Sequence, residues 1–396
     1  MIRILVVDDS MFMRGAIAKT LTATGSFQVV GQAKDGHEAL QRVLELQPDV
    51  ISMDFNMPGW TGADAVAAIM AKRPTPIVMF SAHTTKGAKE TLDALAAGAV
   101  DFVTKPAGEV SADLSKVQDE LVRKLTAAAG ARPRIPPSLP RPAAGGPPSS
   151  KQASPVSSSA RPPLSPRTQG VSSPLATPPP GAVRAPSPQA TPLPGSLRTP
   201  MPAARPSAPG GAFPRLCVVA VSTGGPVALG VLLPALPADT RFAIVVVQHM
   251  PAHFTAALAE RLDADSALTV REAENGDRPR PGLALIAPGD RHLEFDDRGA
   301  VVLRDGPLVN GCRPAADVTM QSAARVYGRR TIGVVLTGMG RDGTAGALAI
   351  RRAEGRTLAQ DEESSVIFGM PRSAIEAGAI EEVAPLGEIA ARLRYL

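Results

Sequence analysis

The stretch "RLCVVAVSTGGP", residues 215–226, decides the fold of the second half of the chain. Its apolar run from Leu216 to Val221 is continuous rather than alternating, the mark of a strand buried on both faces in a helix-covered parallel sheet. The strand hands over directly to Ser222, Thr223, Gly224 and Gly225, and then to Pro226, which suits the first turn of a helix. Buried strand, tight bend and helix start together make one βα unit of a doubly wound sheet. The bend itself has three readings: a structural turn, a phosphate cradle, or the seat of a presented nucleophile.

The same alternation extends in both directions. Downstream, strand-like runs such as "FAIVVVQHM", "GLALIAPG" and "TIGVVLTG" alternate with helical stretches such as "HFTAALAERL" and "DVTMQSAARVY". The "DDRG" inside "HLEFDDRGAVVLRDG" is turn chemistry between two short strands, so an antiparallel hairpin is expected within a mainly parallel sheet. Upstream, "IRILVV", "FQVVGQA", "DVISM", "PIVMFS" and "AVDFVT" are separated by amphipathic segments including "HEALQRVLEL". This predicts a five-stranded, flavodoxin-like α/β domain over residues 1–126 and a second α/β domain over 214–396.

Residues 127–213 between them differ in kind. Of the 40 prolines, 24 fall between Ala131 and Arg215, together with ten Lys or Arg and no Asp or Glu. With so few large apolar residues to offset the entropy of ordering, this Pro/Ser/Ala/Arg stretch is expected to be a disordered tether with polyproline character. Residues 131–215 carry +10, so a chain of net charge +5 leaves −5 for the remainder. The high pI therefore belongs to the tether, and no nucleic-acid partner is expected. Cys217 and Cys312 form no CxxC pair, which argues against a disulfide framework or a thiolate zinc site. The N-terminal apolar run is too short for a signal peptide, and no stretch reaches the ~20 apolar residues of a membrane span. A cytoplasmic protein without an integral membrane segment is expected.

In an open parallel sheet, function gathers at the carboxyl ends of the strands. In the first domain that edge collects Asp8 and Asp9 after strand one, Asp54 after strand three, Ser81 after strand four and Lys105 after strand five. Any one of these aspartates suits a helix cap. Together, three carboxylates suit Mg²⁺, and the ammonium suits a phosphoryl group carried by one of them. "ILVVDDS", "DVISMDFNMP", "MFSA" and "DFVTKP" resemble the receiver domains of two-component response regulators, across residues 1–125. The resemblance implies that Asp54 is the phosphoacceptor, that Asp8, Asp9 and Asp54 hold Mg²⁺, that Ser81 and Lys105 contact the phosphoryl group, and that Phe102 is the switch aromatic. It also implies a histidine kinase as phosphodonor. "GWTG" at 59–62 departs from the acidic residue that many receivers have before the last Gly, and Trp60 there bears on partner recognition. His37 reads as a solvated helix residue.

Around Ser222 a phosphate cradle fits poorly. No Lys follows the glycines as a Walker loop requires, and Gly224, Gly225 and Gly230 do not make GxGxxG. A nucleophile needs a base, and this domain offers His249, His253 and His292. His249 ends "AIVVVQ", the strand expected beside that of Ser222. Pro251 breaks any helical metal pair between His249 and His253, and His292 in the hairpin reads as a surface residue. The base needs a carboxylate, and the glycine-rich bend of "TIGVVLTGMGRDGTAGALAI" brings Asp342 to another strand end, otherwise a plain N-cap. Backbone N–H groups near Met339 are placed to face an oxyanion. Both cysteines read as packing residues.

"AVSTGGP", "VVVQHMP", "LIAPGDRH", "DGPLVNGCRP", "VVLTGMGRDG" and "AQDEESSVIFGMPRSAI" resemble, in order and over nearly all of 214–396, the chemotaxis protein-glutamate methylesterases of the CheB family. The resemblance implies a Ser222–His249–Asp342 triad with Thr223 and Met339 at the reacting centre, no cofactor for the ester chemistry, and methylated glutamates of chemoreceptors as substrate. Deamidation of receptor glutamines and inhibition by the unphosphorylated receiver are implied as well. Arg341 stands where an Asn is usual. The alternative is a receiver-controlled binding module without catalysis.

Overall fold

The computed structural model describes residues 1–81, 84–105, 114–131 and 214–395. Most of the tether read from composition, from residue 132 on, lies outside the described residues.

The first sheet contains β1 (Ile2–Val7), β2 (Phe27–Ala33), β3 (Val50–Asp54), β4 (Ile77–Ser81) and β5 (Asp101–Thr104), all parallel in the order β2-β1-β3-β4-β5. Its helices are α1 (Met11–Ala23), α2 (Gly36–Leu46), α3 (Gly62–Lys72), α4 (Thr85–Ala96) and α5 (Leu114–Ala129). Every residue of β3 and β4 is buried, as their unbroken apolar runs require. The strand order reverses between β1 and β3. Asp8 and Asp9 follow the one and Asp54 ends the other, so the carboxylates stand at the crevice such a reversal opens.

The second sheet is larger. β6 (Arg215–Val221), β7 (Phe242–Gln248), β8 (Thr269–Glu272), β9 (Leu283–Ile286), β12 (Thr331–Val335), β13 (Arg356–Gln360) and β14 (Glu382–Ala384) run parallel in the order β14-β13-β12-β6-β7-β9-β8. The expected hairpin is β10 (His292–Phe295) against β11 (Val301–Arg304). Period-two side-chain alternation divides β6 between two cores. Cys217, Val219 and Val221 pack with α6 (Gly225–Leu232) and α7 (Phe254–Asp265); Leu216, Val218 and Ala220 pack with α8 (Ala316–Tyr327) and α9 (Thr344–Arg352). α10 (Met370–Glu376) and α11 (Leu386–Tyr395) complete the layers. Here the order reverses between β6 and β12, the strands that lead to Ser222 and Asp342. Among the described residues no helix is long and apolar enough to cross a membrane.

The two domains touch. α4 packs on α6 and α7, Phe102 stacks on Phe254 with ring centroids 4.5 Å apart, and the Thr223 hydroxyl donates to the Asp101 carboxylate. Lys89 pairs with Glu260 and Arg261 with Asp93, both at 2.9 Å.

One histidine corrects the sequence reading. His292 is buried, not superficial: Nε2 lies 2.9 Å from the Pro307 carbonyl, and Nδ1 accepts from the Ala315 amide at 3.3 Å. The hairpin is pressed onto α8 rather than standing free, so this imidazole satisfies the backbone of the segment that returns beneath it. His37 is exposed as expected, its ring 3.9 Å from that of Trp60.

Candidate active site

Two constellations stand at sheet edges. In the first domain, Asp8 and Asp54 are buried, Asp9 is exposed, and one oxygen from each lies within 4.8 Å of the others. Lys105 Nζ bridges Asp8 at 3.0 Å and Asp54 at 2.8 Å. Burial pushes the Asp54 carboxyl up to about 6, despite the lowering effect of Lys105. The Asp8 and Asp54 charges lift Lys105 although burial alone would lower it. Hard oxygen donors that repel one another, held around one point, are the donor set Mg²⁺ prefers. Ser81 is buried and turned to α4, where its hydroxyl accepts from Thr91 at 2.6 Å.

In the second domain the bend after β6 is latched from several sides. Ser222 N–H donates to the Thr337 carbonyl at 3.0 Å, and the Gln248 side chain donates to the Ser222 carbonyl at 3.0 Å. Gly225 N–H closes the turn onto the same carbonyl at 2.8 Å. Gly224 starts α6 at φ +78, which favours glycine, and a β-carbon there would stand 2.8 Å from Val366. Gly338 lets the loop after β12 come close: a β-carbon on it would lie 2.8 Å from that of Ser222.

Register fixes the partners. Val221 pairs with Gln248, so Ser222 and His249 leave adjacent strand ends side by side, and the His249 amide donates to the Val221 carbonyl at 3.2 Å. His249 Nε2 lies 2.7 Å from Asp342 Oδ2. Its other nitrogen, Nδ1, faces the Cys312 thiol at 3.6 Å. Among the described residues no hydrogen bond joins the Ser222 hydroxyl to the imidazole. Burial would lower His249, but hydrogen bonds with Asp342 and Cys312 outweigh it and push the imidazole up to about 9. Burial would likewise raise Asp342, yet the His249 contact and the Ala316 and Asp317 amides hold it below the usual carboxylate range.

The structure adds residues that the sequence reading passed over. Asn310 Nδ2 donates to Asp342 Oδ1 at 2.9 Å and to Asp317 Oδ2 at 2.8 Å, tying the loop before α8 to the carboxylate. Burial raises Asp317, which also accepts from the Gly346 amide at 2.7 Å. Cys312, read as packing, is half-exposed beside His249 instead. Only the Asn-Gly turn pair of "VNGCRP" signalled this loop. Met339 is half-buried beside Gly338, and Arg341 is exposed.

Residues 217–393 match the family described as CheB methylesterase, and residues 4–114 match the response regulator receiver domain. A protein-glutamate methylesterase/protein-glutamine glutaminase of Symbiobacterium thermophilum is 44% identical over 98% of this chain and 95% of its own. The chain belongs to the CheB family. A Thermotoga maritima relative of the same description is 38% identical over 99% of this chain and 97% of its own. The crystal structure of the Thermotoga maritima CheB methylesterase catalytic domain is 45% identical, covering 46% of this chain and 98% of that one with a TM-score of 0.45. In this CheB chain the six motifs of the second domain line one sheet edge, and the receiver's Asp101 reaches the residue next to Ser222.

Proposed function

We propose that this chain is a phosphorylation-activated serine esterase of the cytoplasm that hydrolyses glutamate γ-methyl esters on chemoreceptors. The observation that carries the reading is His249, held 2.7 Å from Asp342 at the strand end beside Ser222. Ser222 Oγ attacks the ester carbonyl while His249 Nδ1 takes its proton. The C–OCH₃ bond breaks, the imidazolium protonates the leaving methoxide, and methanol departs. Water, deprotonated by the same imidazole, then cleaves the acyl-enzyme to give glutamate. A receptor glutamine follows the same path with ammonia as the leaving group. The Ser222–His249 bond is expected to close with substrate in place, as resting hydrogen bonds in such sites are often long. Among the described residues the Thr223 and Met339 amides donate to no group of the chain, which suits them to the tetrahedral oxyanion.

Asp54 is the proposed acceptor of a phosphoryl group from a histidine kinase. Asp8, Asp9 and Asp54 would hold Mg²⁺, which neutralises phosphoryl oxygens during transfer. Lys105 stands ready to pair with the product and Ser81 to turn from Thr91 toward it. The unphosphorylated receiver restrains the esterase, a reading supported by the Asp101–Thr223 and Phe102–Phe254 contacts beside the nucleophile.

Methanol release from methylated receptor tests the chemistry: Ser222→Ala abolishes it, and full activity in that variant overturns the reading. A fluorophosphonate labels Ser222 in an esterase and leaves it untouched in a non-catalytic binding module.

A further inference from the structure

We propose that the amino edge of the seven-stranded sheet, opposite the catalytic edge, binds a small anion with adjacent phosphoryl groups through Arg215, Arg241, Arg329 and Arg330. β12, β6 and β7 are neighbours at the sheet centre, with Thr331 opposite Leu216 and Arg215 opposite Phe242. Arg330 precedes β12, Arg215 opens β6 and Arg241 precedes β7, so three arginines stand in a row at strand spacings of about 4.8 Å. Arg329 joins them from the short 3₁₀ turn Gly328–Arg330.

Among the described residues these four line a hollow of about 570 Å³, in the range that holds a nucleotide-sized ligand. Among the described residues no carboxylate lines it; Asp239 belongs to the adjoining hollow, which Arg215 and Arg241 share with Arg394. Arg215, Arg241 and Arg329 are exposed and bring like charges together at a solvent edge, with the apolar cores behind them. A bound polyanion reverses the sign of that interaction, and each guanidinium offers a planar fork matched to phosphoryl oxygens. Arg215 lies at the end of the +10 stretch 131–215, and the other three arginines run against the −5 left to the rest of the chain. The seven residues of β6 put the hollow about 23 Å from Ser222, too far for its ligand to be the ester undergoing hydrolysis.

Titration calorimetry of the full chain with pyrophosphate, against sulfate at matched ionic strength, tests the site. Saturable 1:1 binding is expected, at least tenfold tighter than sulfate. Arg241→Ala/Arg329→Ala weakens it about tenfold or more, and the corresponding double Lys variant, which keeps charge without the fork, loses an intermediate amount. Melting temperatures without ligand at or above that of the parent chain confirm folded variants, because repulsion has been relieved. Vesicles of phosphatidylglycerol present the same oxyanions on a headgroup. Retention there that disappears in the Ala variant supports the site and assigns its phosphates to lipid. Binding of neither probe, equal binding by parent and Ala variant, or poly-glutamate binding as tight as pyrophosphate overturns the proposal.

Discussion

At the level of single residues, His249 as the proposed general base is expected to set the pH dependence. The general base must be neutral, and contacts with Asp342 and Cys312 push this imidazole up to about 9, so kcat/KM is expected to rise with pH until about 9. The sign for stability is opposite. Holding the proton in the folded state stabilises it below the unfolded value of ~6.5, and that contribution is lost as pH rises through about 9. Asp342→Asn should move the kinetic inflection down and lower kcat by about 10⁴-fold; an unmoved inflection would assign it to another group. Asn310→Ala should cost about tenfold in kcat with KM little changed, because it frees Asp342 to rotate without touching substrate. Asp54 gives a metal prediction. With its carboxyl pushed up to about 6, ionising it destabilises the fold increasingly from about pH 4 to 6, so Mg²⁺ should raise the melting temperature more at pH 7 than at pH 5. Asp54→Asn should erase that difference in a thermal melt. The placement of Ser222, His249 and Asp342 at one sheet edge was legible because each ends or follows a strand that the apolar pattern marks. Asn310 and Cys312 were not, since they reach the site from a loop 63 residues beyond His249 in the case of the thiol, and no periodicity places a loop tip.

Among elements, the bends decide more than the strands. The order of apolar runs was enough to foresee both sheets and the hairpin, because a continuous buried strand tolerates few other readings. Which way the hairpin faces depends on what covers it, and His292 was misread for that reason. The bends after β6 and β12 approach each other closely at the edge that carries Ser222. A methyl on Gly338 would meet the Met370 sulfur at 2.4 Å and the Ser222 β-carbon at 2.8 Å. Gly338→Ala should destabilise the second domain by ~1–3 kcal/mol, as overpacking does, and reduce kcat further than the melting shift explains. Chemical denaturation and methanol-release kinetics on one preparation separate the two effects. Undiminished kcat in a folded variant would mean that the Ser222 bend tolerates displacement.

For the whole molecule, the question is how firmly the receiver is held. The ion pairs Lys89–Glu260 and Arg261–Asp93 involve exposed side chains, and such pairs contribute only ~0–1 kcal/mol each. The Phe102–Phe254 stack is buried on both sides and worth ~0.5–1.5 kcal/mol beyond its area. Residues 132–213 connect the two domains in sequence, and a connection of that length lowers the effective concentration of one domain at the other. The proposed restraint, exerted through so modest an interface, is expected to be partial, and small losses at it should release activity. Phe102→Ala in the full, unphosphorylated chain should raise methanol release at least about fivefold, the factor equivalent to ~1 kcal/mol. Lys89→Ala/Asp93→Ala should raise it less than about threefold at physiological salt, where exposed pairs are screened. If the aromatic variant stays at the parent rate while the charge variant is released, the stack is a bystander and the ion pairs carry the restraint. If neither changes, the contact between Asp101 and Thr223 holds the domains or the receiver does not restrain the esterase. Asp101→Asn, which weakens the acceptor without altering shape, decides between those two outcomes.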